Sequence, residues 1–113
     1  MVKTSRRVPD SGDIAWLDFS PYEGHEQGGQ RPALVLSAAK YNRSASLMVC
    51  CPMSTKVKGY PFEVLISSDP PSVVLADQVK CLDWRARGAK RRGRVPEHVL
   101  AEVRAKLATL IGV

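Results

Sequence analysis

Apolar residues in this chain come in short bursts rather than long periodic stretches. Ile14, Trp16 and Phe19 mark residues 13–19 as a strand with imperfect alternation. Residues 33–37 form an apolar run behind Pro32, and 47–51 form another, closed by Pro52. Compact runs of this kind read as buried strands. Residues 62–66 predict a further strand, broken at Asp69-Pro70-Pro71. Residues 73–76 and 79–82 predict two more close together, or one long bent strand. The period then changes. Val99, Leu100, Val103, Leu107, Leu110 and Ile111 recur at helical spacing, with Pro96 suited to the first turn and Gly112 to the stop. Residues 20–30 and 54–59 are polar loops. Five or six short strands followed by one C-terminal helix predict a mainly β fold, a small barrel or sandwich. A length of 113 residues suits one domain, taken as residues 1–113.

Composition narrows the function classes. Hydrophobic residues make up 44% of the chain, too many for a disordered tail. No apolar run approaches the ~18 residues of a membrane span. The basic N-terminus is followed by no apolar stretch, which argues against a secretory signal and for a cytoplasmic protein. Cys50, Cys51 and Cys81 lack the paired spacing of a zinc ribbon and read as reduced, largely buried thiols. The net charge is +6, and six cations crowd into residues 85–94 with no acid among them. That run is either a solvated turn or a contact for a polyanion such as nucleic acid.

The densest set of reactive groups is Gly24-His25-Glu26-Gln27-Gly28-Gly29-Gln30-Arg31-Pro32. No second histidine or cysteine stands at metal-ligand spacing, so no metal is expected. No Walker loop, GxGxxG or GxSxG is present, so no nucleotide cofactor is expected. Such a loop serves a metal-free acid–base set or is an incidental surface loop. RNA carries its own nucleophile, the 2′-hydroxyl. Cleaving it needs a proton acceptor, a cation for the charge growing on phosphorus, and a donor for the 5′-oxygen. Glutamate or histidine can move protons, and arginine is a permanent planar clamp for phosphate.

Five segments in order carry a family resemblance: VPDSGDIAWLDFSP (8–21), GHEQGGQRPALVLS (24–37), KGYPFEV (58–64), LADQVK (75–80) and WRARGAK (84–90). Together they resemble the MazF/PemK (Kid) toxins of bacterial toxin–antitoxin systems. The resemblance implies a small SH3-like β-barrel with a C-terminal helix, acting as a homodimer. It implies a ribosome-independent endoribonuclease, needing no cofactor, that cuts single-stranded mRNA at a short motif and leaves a 2′,3′-cyclic phosphate and a 5′-hydroxyl. The implied partner is a MazE-like antitoxin whose acidic, disordered C-terminal segment covers the RNA groove.

Residue by residue, the resemblance implies catalytic roles for Glu26 and Arg31, with Ser54 where the family has a threonine and His25 as a further acid–base candidate. RNA contacts are expected at Phe19, Thr55, Lys58, Asp77, Gln78 and Lys80, because unpaired bases are read by stacking and edge hydrogen bonds, with Phe19 either a stacking ring or a core strand residue. Leu75 stands where the Kid branch has an arginine, which favours Arg31 over Asp77 as the centre of the chemistry. Trp16 and the helix are expected in core and dimer packing, and the run 85–94 in a barrel loop. Two other classes stay open: a gyrase-poisoning toxin of the related barrel fold, and a non-catalytic RNA-binding module.

Overall fold

The computed structural model describes residues 7–113, so most of the basic N-terminal segment lies outside the described residues. The first strand, β1 (Asp13–Asp18), is followed by β2 (Gln30–Val35), a short helix α1 (Ala39–Ala45) and β3 (Leu47–Ser54). Next come β4 (Glu63–Ser68), β5 (Pro71–Leu75), a 3₁₀ turn (Ala76–Gln78), β6 (Lys80–Asp83), β7 (Lys90–Arg94) and α2 (Glu97–Ile111). All pairings are antiparallel, in the order β4-β5-β3-β2-β1-β7, with β6 also on β3. The result is a curled sheet, a half-barrel, capped by the C-terminal helix, as the apolar pattern predicts.

β3 explains the curl. Its first half pairs with β6 (Leu47–Cys50) and its end pairs with β5 (Met53, Ser54). Pro52 sits where one partner leaves off and the next begins, so its missing N–H costs no ladder bond there. Pro32 lies inside β2 for a related reason. At that point β2 has only β1 beside it, because pairing with β3 starts at Ala33. Both strands therefore run past the prolines that seemed to bound them, and the extra length delivers Arg31 and Ser54 to one end of the sheet.

Neighbouring residues of β2 and β3 point into two different cores. Ala33, Val35, Met48 and Cys50 pack with Leu17, Phe19 and Trp84 inside the curl. Leu34, Cys51 and Met53 pack with Val64, Val74, Val99, Leu100 and Val103 beneath α2. Burial on both faces is why these strands read as unbroken apolar runs. Among the described residues no helix is long and apolar enough to cross a membrane.

Two elements depart from expectation. α1 is seven residues long and buries a polar side chain, Asn42, so no apolar period marks it. Asn42 Nδ2 donates to the carbonyls of Pro9 (2.7 Å) and Ser37 (3.0 Å), and its own carbonyl accepts from Trp84 Nε1 (2.8 Å). The cationic run is not simply a loop, because its second half is β7. This strand lacks apolar residues and is held by buried Asp13, which accepts from Arg91 Nε at 3.2 Å and Arg94 Nη1 at 3.0 Å. Trp16 is also more exposed than core packing requires, with Arg92 5.7 Å from its ring centre.

Candidate active site

The ends of β2, β3 and β5, the loop before β2 and the 3₁₀ turn enclose a groove of about 690 Å³. Arg31, Ser54, Thr55, Lys58, Asp77, Gln78 and His25 all line it, so seven of the ten residues singled out from the sequence come together. Their separation along the chain is large, and the sheet register gathers them. Arg31 pairs with Leu17 on β1, and Ser54 pairs with Val73 on β5.

Arg31 is half-buried and held by backbone. Its Nε donates to the Gly28 carbonyl at 3.0 Å and its Nη1 to the Met53 carbonyl at 3.2 Å. Among the described residues no carboxylate lies within ion-pair distance of it. Its full charge therefore faces the groove in a fixed direction. Ser54, half-buried beside it, accepts the Lys56 N–H on Oγ at 3.0 Å, which leaves its hydroxyl proton free to donate. Glu63 also lines the groove, but its carboxylate accepts the backbone N–H groups of Lys58 and Gly59. The remaining wall includes Lys56 and the exposed Tyr60, whose ring centre lies 5.7 Å from Lys58 Nζ.

The glycines of the loop before β2 have steric jobs. A Cβ on Gly28 would stand 1.8 Å from a Tyr22 ring carbon, so the ring lies directly on the backbone. Gly29 takes a φ of +76°, and its carbonyl accepts the Phe19 N–H at 2.9 Å, closing the base of the loop.

Three expected site residues are placed differently. Phe19 is buried in the core with 1% of its surface exposed, so no base can stack on it. The spacing of Ile14, Trp16 and Phe19 hid this, because the inward set on β1 is Ala15, Leu17 and then Phe19. Glu26 turns away from the groove. Its Oε1 accepts the Glu23 N–H at 2.8 Å and meets Lys80 Nζ at 3.4 Å. These two contacts, in that order, hold its carboxyl below the usual range. Lys80 is thereby committed to Glu26 and is not among the groove residues. Gln27, Gln30, Lys56 and Tyr60 were not singled out from the sequence. Tyr60, an aromatic in a polar loop beside Lys58, is the one that composition could have flagged.

Cys50 and Cys51 are buried, and desolvation pushes both thiols up to about 12. Cys81, expected to be buried with them, is exposed on β6. His98 is exposed on α2.

Comparison with known proteins bears on this geometry. The family described as "PemK-like, MazF-like toxin of type II toxin-antitoxin system" matches residues 10–111. The endoribonuclease toxin MazF of Escherichia coli K12 is 50% identical over 109 residues, covering 96% of this chain and 98% of that protein. The crystal structure of MazF from Deinococcus radiodurans superposes with a TM-score of 0.89 at 52% identity, covering 95% of this chain and 99% of the other. A MazE–MazF complex from the same organism aligns with a TM-score of 0.83 at 50% identity, covering 95% and 99%.

Proposed function

This chain belongs to the PemK-like, MazF-like toxins of type II toxin–antitoxin systems, and we propose that it cuts single-stranded RNA through the RNA's own 2′-hydroxyl, with Arg31 as the cation at the phosphate. It is an endoribonuclease toxin neutralised by an antitoxin. The observation that carries the chemical reading is the Arg31 guanidinium, aimed into the groove by two carbonyls and unpaired with any carboxylate among the described residues.

In this reading the scissile phosphate lies against Arg31 and Ser54. The 2′-hydroxyl loses its proton and its oxygen attacks the adjacent phosphorus. The P–O5′ bond breaks and the 5′-oxygen takes up a proton. The products are a 2′,3′-cyclic phosphate and a 5′-hydroxyl, with no net change in protons. Arg31 and the Ser54 hydroxyl donate to the phosphoryl oxygens as their charge grows, where fixed donors are worth most. His25 lines the groove and moves the proton. Glu26, outside the groove lining, acts through the loop it belongs to. Thr55, Lys58, Asp77 and the exposed Tyr60 line the path of the flanking nucleotides, where cations track the backbone and an aromatic face accepts a base.

The chain acts as one toxin domain and as a homodimer, for which the exposed Leu110, Ile111 and Val113 at the end of α2 offer apolar surface. An acidic antitoxin segment suits the same groove as RNA, since Lys56, Lys58 and Arg31 line it. The test uses purified protein, a long single-stranded RNA and EDTA, followed by mapping of product ends. Discrete cuts with cyclic-phosphate ends, lost in Arg31→Ala, are expected. RNA left intact at high protein concentration with no antitoxin present overturns the reading.

A further inference from the structure

We infer that Gln78 and Lys80 form a latch that holds the loop of residues 20–29 over the groove, and that both are positioning residues rather than RNA contacts. This rests on the groove being the cleavage site.

The loop is fastened at its base, at its tip and, between the two, at Gly28, whose carbonyl accepts from Arg31 Nε at 3.0 Å. At its base the Arg87 Nη1 donates to the carbonyls of Asp18 at 2.9 Å and Ser20 at 2.7 Å, and Phe19 N–H meets the Gly29 carbonyl. At its tip the Gln27 N–H donates to Gln78 Oε1 at 2.9 Å, and Glu26 Oε1 meets Lys80 Nζ at 3.4 Å. Among the described residues these two are the only polar side-chain contacts from the tip, residues 23–27, to the rest of the fold. Residues 20–26 are all exposed, so little apolar burial supports the tip. Gln78 and Lys80 stand on either side of Val79 (φ −58°, ψ 136°) and grip consecutive loop residues, Gln27 and Glu26. Between Gly24 and Glu26 stands His25, which the latch places in the groove wall.

A tip held by one neutral hydrogen bond and one half-exposed ion pair opens easily. The latch sets how often His25 and Gln27 face the substrate. Losing it lowers the rate of the chemical step and leaves RNA affinity, set by Arg31 and the lysines, nearly unchanged.

The Gln78 side chain separates this from direct RNA contact. Glutamate at 78 keeps an acceptor for the Gln27 N–H but repels phosphate. Amide hydrogen exchange at Gln27 is measured in the full-length protein without RNA, for wild type, Gln78→Ala, Gln78→Glu and Lys80→Met. Alongside, single-turnover cleavage and the Kd for an oligonucleotide with a 2′-deoxy cleavage site are measured. Gln78→Ala speeds Gln27 exchange about 5-fold, as expected for one neutral hydrogen bond, and Gln78→Glu stays within about 2-fold of wild type. Lys80→Met also speeds it, and Glu26→Lys combined with Lys80→Glu restores protection that either change alone removes. The cleavage rate of Gln78→Ala falls while its Kd holds. Equal Gln27 exchange in Gln78→Ala and wild type overturns the latch. So does exchange in Gln78→Glu as fast as in Gln78→Ala, or a defect confined to Kd. Since exchange is read without RNA, a wild-type protein that fails to cut RNA sinks the cleavage reading and leaves the latch result standing.

Discussion

Arg31 Nη1 donates to the Met53 carbonyl at 3.2 Å, so the start of β2 and the end of β3 meet through a single guanidinium. The contact orients the charge and joins the two strands that build the groove. Arg31→Ala should lower the single-turnover cleavage rate about 10²–10³-fold, the scale of losing one fixed donor at a growing oxyanion. Its thermal stability should fall by about 1–2 kcal/mol for two lost hydrogen bonds. Arg31→Lys should recover little activity, because one ammonium cannot meet both carbonyls and still present a planar fork to phosphate. Full activity in the lysine variant would show that charge alone suffices.

Gly28 has no room for a side chain beneath Tyr22. Gly28→Ala should drive the ring out into solvent, and since Tyr22 is already 54% exposed, the fold as a whole should lose under about 1 kcal/mol. The damage should appear in cleavage, because the Gly28 carbonyl that steers Arg31 Nε moves with the backbone. Adding Tyr22→Ala to Gly28→Ala should restore most of the rate. A double variant as slow as the single one would count against the steric account.

Thiol chemistry should divide the cysteines. Cys50 and Cys51 are buried with their thiols pushed up to about 12, so at pH 8 they carry almost no thiolate. Ellman's reagent should titrate one fast thiol per native chain, lost in Cys81→Ser, and all three after unfolding. Two or three fast thiols in the native protein would contradict the burial of this pair.

Acid should loosen the loop only well below neutrality. The Glu26 carboxyl is held down by the Glu23 N–H and by Lys80. A carboxylate whose folded pKa lies below its unfolded value stabilises the folded state above the unfolded value, and this contribution is lost as pH falls through the folded one. Gln27 exchange, corrected for intrinsic rates, should therefore be flat from about pH 5 to 8 and rise below about pH 4. Glu26→Gln should remove the acid rise and speed exchange at neutral pH.

Most of the fold was legible because β2, β3 and α2 are defined by apolar burial, which leaves unbroken runs in the two strands and a helical period in α2. The two missed elements are held by polar contacts. β7 is four cations and a glycine around Asp13, and α1 is a turn around Asn42. Neither partner is near in sequence: Asp13 lies 81 residues from Arg94, and Asn42 lies 42 from Trp84. The groove lining was legible as a set of residue types: the register of β2 against β1 and of β3 against β5 brings Arg31 and Ser54 to one end of the sheet, and the loop before β2 adds His25. What residue types could not convey was direction. Glu26 and Lys80 face each other, and Phe19 faces the core.

The fate of the cationic run also changes how charge acts on this molecule. Arg91 and Arg94 close on Asp13, Arg87 on two carbonyls, Arg85 lies 4.3 Å over the Trp84 ring, and Arg92 faces Trp16. Each of these contacts uses only part of a guanidinium, and the field of the run still reaches into solvent. Such a surface speeds the approach of a polyanion without fixing where it rests. Neutralising Arg85 and Arg92 should therefore slow the arrival of RNA with little effect on its departure, whereas Lys58→Ala in the groove should speed departure; stopped-flow binding to a labelled oligonucleotide reads both rates.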